Sequence, residues 1–124
     1  MTKFSFQDLK VWQKAIEFAE QVIILIDQLD TDRKHYRLLE QIEASSTSVA
    51  MNIAEGKGRY SQKEFIHFLY IARGSLFETI NLLEIFKKMG WINDHSYQTI
   101  EDQGEEITKM INSLITRLRS GSIS

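Results

Sequence analysis

Residues 61–90 read SQKEFIHFLYIARGSLFETINLLEIFKKMG, and this stretch decides the fold class. Phe65, Leu69, Ala72, Leu76, Ile80, Leu83 and then Phe86 or Lys87 recur at spacings of three and four. That period lines apolar side chains along one stripe of an α-helix and fits no strand. Ser61 stands three residues before Glu64, the form of a capping box that satisfies the free N–H groups of a first turn. Lys87 and Lys88 followed by Gly90 suit the negative end of the helix dipole and a glycine C-cap. The spacing predicts a helix over 62–89.

The same alternation appears outward from this segment in both directions. A helix is expected over about 7–29, with Ser5 and Asp8 as its capping box. It carries two apolar seams: Leu9, Trp12, Ile16, Ala19, Ile23 and Ile26, and beside them Val11, Ala15, Phe18, Val22, Leu25 and Leu29. One seam serves a bundle, so the second set, with Val11, Ala15, Phe18, Val22 and Leu25, is expected to face another subunit. A second helix over about 33–55, capped by Thr31 or Asp32, has the seam Leu39, Ile42, Ser46, Val49 and Ile53. Its middle, Ala44 to Ala50, is rich in small residues and hydroxyls that permit close helix approach. Gly56 and Gly58 are expected to end it in the left-handed conformation. A fourth helix over about 96–119, capped by Asn93, Asp94 or Ser96, has the seam Ile100, Gly104, Ile107, Ile111, Leu114 and Leu118. Short connections between such helices imply an all-α, antiparallel up-down-up-down four-helix bundle.

Composition narrows the class further. The chain has 124 residues, no proline, no cysteine, six glycines and a formal net charge of −2. That length suits one domain over 1–124, and the sparse turn residues do not fit a sandwich or barrel. No cysteine leaves no thiolate chemistry, and the longest aliphatic run, Val22 to Ile26, is far too short to span a bilayer. Met1 to Ser5 shows no signal-peptide pattern, so a cytoplasmic protein without a membrane partner is expected.

Few residues point to chemistry. Glu64 and His67 form a Glu-x-x-His, but a di-iron bundle needs two such motifs plus two more glutamates, so the expectation is a surface histidine, no metal and no cofactor. Ser45, Ser46, Thr47 and Ser48 have no histidine near them in sequence, and no enzyme is expected. The Gly56-Lys57-Gly58-Arg59-Tyr60-Ser61 connection is different. It places cations beside the start of a helix, where backbone N–H groups attract anions, and Lys57, Arg59, Lys63 and Arg73 form a candidate nucleic-acid patch. Asp94, Glu101, Asp102, Glu105 and Glu106 make the start of the fourth helix acidic.

Three segments carry a resemblance: Phe6 to Ala15, Asn52 to Arg59, and Phe65 to Glu78. In order and spacing the chain resembles the four-helix-bundle family of proteins encoded in intervening sequences of bacterial 23S ribosomal RNA genes, also labelled S23 ribosomal proteins. That family is related in fold to the accessory variability proteins of diversity-generating retroelements. The resemblance implies a homopentameric ring and weak binding of RNA or DNA, with a reverse transcriptase as partner if the chain is retroelement-associated. Its motif positions here are Asn52, Glu55, Gly56, Gly58 and Arg59, then Arg73, Gly74, Ser75 and Glu78. Asn52, Glu55, Ser75 and Glu78 are expected to form a structural polar cluster between the second and third helices, with Arg59 or Arg73 neutralising a carboxylate. The chain departs from the family at Gln41-Ile42-Glu43-Ala44-Ser45, where members often read Gln-Ile-Arg-Arg-Ala, and lacks their proline before the second helix. Losing two basic positions lowers the number of phosphates that can be neutralised. A protein-interaction scaffold without nucleic acid is therefore the alternative.

Overall fold

A computed structural model describes residues 3–29 and 35–121. Among the described residues a 3-10 turn, Ser5–Asp8, precedes four helices and there is no strand: α1 is Lys10–Asp27, α2 Tyr36–Lys57, α3 Gln62–Lys88 and α4 Asp94–Arg119.

The helix ends follow local chemistry, with corrections. Ser61 Oγ accepts from the Glu64 N–H at 3.1 Å and Asn93 Oδ1 from the Ser96 N–H at 2.7 Å, so Asn93 caps α4, which starts at Asp94 rather than 96. Ser5 and Asp8 do not cap α1. The Phe4 N–H instead donates to Gln7 Oε1 at 3.0 Å, because the longer Gln side chain reaches back across the turn, and α1 starts only after an extended Leu9. Thr31 and Asp32 lie outside the described residues.

Gly90 takes φ +78 after α3. Its N–H donates to Lys87 O at 3.0 Å and the Trp91 N–H to Phe86 O at 2.9 Å, while the Trp91 and Phe86 rings sit 5.1 Å apart. This paired return of the chain, closed by an apolar contact, satisfies carbonyls that the helix end leaves open. Gly56 and Gly58 do something else. Gly58 ends α2 at φ −80, in right-handed geometry, and Gly56 is buried within the helix. A Cβ on Gly56 would lie 2.8 Å from Phe68 Cβ and 2.9 Å from Phe65 Cδ1. Close approach, and not a left-handed turn, is what glycine provides there.

Each helix packs on two neighbours, α1 on α2 and α4, α3 on α2 and α4. Contacts between α2 and α3 run in opposite residue order: Gly56 meets Phe65 and Phe68, Ser48 meets Ser75, and Gln41 meets Glu78. The same holds from α3 to α4, where Tyr70 meets Arg119, Arg73 meets Asn112 and Ile80 meets Gly104. The core between the helices holds Phe18, Val22, Ile42, Val49, Ile53, Leu69, Leu83, Phe86, Ile107 and Ile111. On α2, α3 and α4 most of these are the seam residues read from the sequence. On α1 the two seams exchange roles. Val11, Ala15, Phe18 and Val22 are at most 5% exposed, inside one bundle, so they are not free to face a second subunit. Trp12, Ile16 and Ile26 of the other seam are only partly buried, as is Leu25.

Candidate nucleic-acid interface

The residues singled out in the sequence divide between two faces of α3. Toward α2 the face is lined by hydroxyls. Ser45 Oγ lies 2.8 Å from Thr79 Oγ1, both buried, and Ser48 Oγ lies 2.9 Å from Ser75 Oγ. Asn52 Nδ2 donates to Ser48 O and Ser48 Oγ, each at 2.8 Å. Each hydroxyl also has a backbone acceptor on its own helix, Ser75 O for Thr79 at 2.9 Å and Ile42 O for Ser45 at 3.2 Å, so either can donate between the helices. Asn52 and Ser75 thus come together through Ser48, while Glu78 makes a separate exposed contact across the same helix pair, accepting from Gln41 Nε2 at 3.3 Å. Glu55 is outside this cluster. It pairs with Arg59, two residues past the end of its own helix, Nη2 to Oε1 2.5 Å, with both side chains about half exposed. Thr79 was missed in the sequence because nothing in its local pattern marks it, and only its partner Ser45 on α2 gives it a role.

The α2–α3 connection brings Lys57, Arg59, Tyr60, Ser61 and Gln62 around a shallow cavity closed by Phe65 and by Leu118 from the end of α4. Tyr60 is fully exposed. Lys57 is half-buried and Lys63 exposed, and among the described residues neither pairs with a carboxylate. Arg59 is already neutralised by Glu55 and lies 4.8 Å from the Phe68 ring. Of the loop cations, Lys57 and Lys63 are therefore the ones open to a phosphate.

Arg73 is not part of this loop. Its Nη1 donates to Asn112 Oδ1 at 2.7 Å, and its guanidinium lies 4.8 Å from the Tyr70 ring and 5.9 Å from the Phe77 ring. Arg119, from the last turn of α4, donates to the Tyr70 hydroxyl and lies 5.5 Å from the same ring. Two guanidiniums thus converge on one phenol. Arg119 was visible in the sequence only as a cation at a helix end; its partner lies 49 residues away.

Further along the same α3–α4 groove the charge reverses. Leu76, Phe77, Ile80 and Gly104 floor a hollow of about 660 Å³ rimmed by Glu84, Glu101 and Glu105. The Tyr97 hydroxyl donates to Glu101 Oε2 at 2.6 Å and Lys87 Nζ lies 4.3 Å from its ring. Burial first, then the hydrogen bonds to Glu101 and Glu84, push the Tyr97 phenol up, since each disfavours a second negative charge. The same Tyr97 hydroxyl, with Lys87 and Lys88, holds the Glu84 carboxyl below its ordinary range.

His67 is exposed, its ring 5.7 Å from that of Phe68, and among the described residues no three His, Asp or Glu side chains gather to hold a metal. No described helix is long and apolar enough to cross a membrane.

Comparison with known proteins gives a consistent picture. The family model for the 23S rRNA-intervening sequence protein matches residues 7–113. The crystal structure of a protein of unknown function from the S23 ribosomal protein family of Bacteroides thetaiotaomicron superposes with a TM-score of 0.79 at 32% sequence identity. The similarity covers 85% of this chain and 97% of that one. No functionally curated protein matches.

Proposed function

The chain belongs to the 23S rRNA-intervening sequence protein family, and from that premise we propose a non-enzymatic helical scaffold of the cytoplasm that binds RNA or DNA weakly. The observation that carries this reading is the meeting, at one end of the bundle, of Lys57 with the end of α4, whose Leu118 closes the loop cavity, with the exposed Lys63 in the first turn of α3 beside it in sequence. Cations collected from separate helices make a phosphate-binding surface on a chain whose net charge is −2. Binding to structured RNA should weaken as salt rises. Lys57→Ala combined with Lys63→Ala should reduce the slope of log affinity against log salt by up to about one per cation removed. A flat salt response, or no binding at low salt, overturns the reading.

The scaffold part of the reading is an up-down-up-down bundle assembling into a homopentameric ring, in which a small basic patch is multiplied. With the α1 seam buried, Met51 on α2 and Ile71 and Ile85 on α3 are the exposed apolar residues that suit a subunit contact. Light scattering that finds a clean monomer at high concentration refutes the ring. A second reading, a protein-interaction scaffold without nucleic acid, is favoured by the acid-rimmed hollow beside the half-exposed Phe77. A gene position beside a retroelement reverse transcriptase would make that enzyme the partner to test.

A further inference from the structure

We propose that Arg119, Tyr70, Arg73 and Phe77 form a strip on the α3–α4 face that binds single-stranded nucleic acid, phosphates on the two arginines and a base on Phe77. The proposal rests on the nucleic-acid reading above but places contact on a different face from the Lys57 loop.

Charge is the first support. Arg73 is held by Asn112 and two rings, Arg119 by the Tyr70 hydroxyl and ring. Among the described residues neither guanidinium is paired with a carboxylate. That sets them apart from Arg59, Lys87 and Lys109, which pair with Glu55, Glu84 and Glu105. A guanidinium carries five N–H donors, and neutral partners inside the fold occupy few of them. Two uncompensated cations converging on one phenol repel each other, and a bound phosphate relieves that repulsion while accepting in the forked geometry arginine offers.

Aromatic spacing is the second. Tyr70, Arg73 and Phe77 follow at three and four residues, so ring, cation and ring line one stripe of α3. Tyr70 to Phe77 spans about 10 Å of helix axis, at 1.5 Å per residue. With about 3.4 Å per stacked nucleotide, the strip suits about three nucleotides. Phe77 is 51% exposed, leaving ring surface for a base, and stacking on a ring is tolerant of sequence. An acidic peptide would use the guanidiniums and leave Phe77 without a planar partner, which favours nucleic acid. Phe77 also lines the hollow rimmed by Glu84, Glu101 and Glu105, so the strip ends at that ring, where the acids repel a phosphate but not an uncharged base.

The test uses the full chain and a fluorescent single-stranded 12-mer RNA containing 4-thiouridine, read by anisotropy at low salt and by mapping photo-crosslinks. Crosslinks are expected at Tyr70 or Phe77. Arg73→Gln with Arg119→Gln should weaken binding at least tenfold, Phe77→Ala about fivefold or more, and Arg73→Lys should restore only part of the loss. Unchanged circular dichroism melts in these surface variants separate binding from folding. Crosslinks at Tyr60, with binding lost in Lys57→Ala/Lys63→Ala and kept in the arginine double variant, overturn the strip and leave the loop reading intact. Loss only in the arginine double variant supports the strip and removes the loop. Absence of RNA binding at low salt overturns both, as does retention of a Glu-rich peptide in place of RNA.

Discussion

The two interfaces that α3 makes are built on opposite terms. Against α2 it presents Phe68, Ser75 and Thr79 to Gly56, Ser48 and Ser45, and the helices close until a missing Cβ and short hydroxyl contacts set their distance. Against α4 it presents Tyr70, Arg73, Phe77 and Glu84, long groups that prop the helices apart and leave a hollow open to solvent. Buried hydroxyls must find partners within the fold, so they specify one register. On the α4 side Arg119 and Phe77 are exposed and Arg73 and Tyr70 half-buried, so part of their contact capacity stays open to solvent.

Glycine substitutions should break this comparison most clearly. Gly56→Ala forces a Cβ to within 3 Å of both Phe68 Cβ and Phe65, with the Phe65 carbonyl at 3.3 Å behind them. Overpacking of this kind should cost about 2 kcal/mol in denaturant unfolding, even after the gain in helix propensity. Gly104→Ala on the α4 side meets only Ile80 Cδ1 at 3.2 Å and Leu76 Cδ2 at 3.4 Å, the mobile ends of side chains beside an open hollow. It should stay within about 0.5 kcal/mol of the parent, because propensity offsets the contact. Equal losses at the two sites would show that the interfaces are not differently packed.

Thr79→Val keeps the shape and removes the hydroxyl that joins Ser45 to Ser75. A loss of about 1 kcal/mol is expected, since Ser45 loses its partner across the interface. Adding Ser45→Ala should cost less than the two single changes summed, because each single change already removes the one bond the two hydroxyls share; strict additivity in a double-mutant cycle would argue against the ladder.

The smallest effect concerns pH. The Tyr97 phenol is pushed above its ordinary value of 10 in the folded state, so its contribution is present below about pH 10 and is lost as pH rises through the folded value. Urea midpoints should therefore fall on the alkaline side, and Tyr97→Phe should flatten that fall relative to the parent. Glu84 works in the other direction: its lowered carboxyl contributes above the ordinary carboxylate range and ceases to do so on acidification.

The sequence by itself determined the four helices, the core stripes of α2, α3 and α4, the cap at Ser61, and the glycine end at Gly90, and it narrowed the α4 cap to Asn93, Asp94 or Ser96. Each is decided within about four residues, by the helical period or by a side chain reaching a nearby backbone group. What the sequence left ambiguous depends on which helix lies opposite. Both seams of α1 are apolar, and only α2 and α4 beside it select Val11, Ala15, Phe18 and Val22 as the buried set. Gly56 looked like a helix stop until Phe65 and Phe68 were placed against it. In the sequence Arg73 belongs to a candidate patch with the loop cations, and Arg119 is a cation in the last turn of α4. Tertiary structure alone sets them on Tyr70, because that meeting joins positions 49 residues apart, and local periodicity carries no information over such a separation.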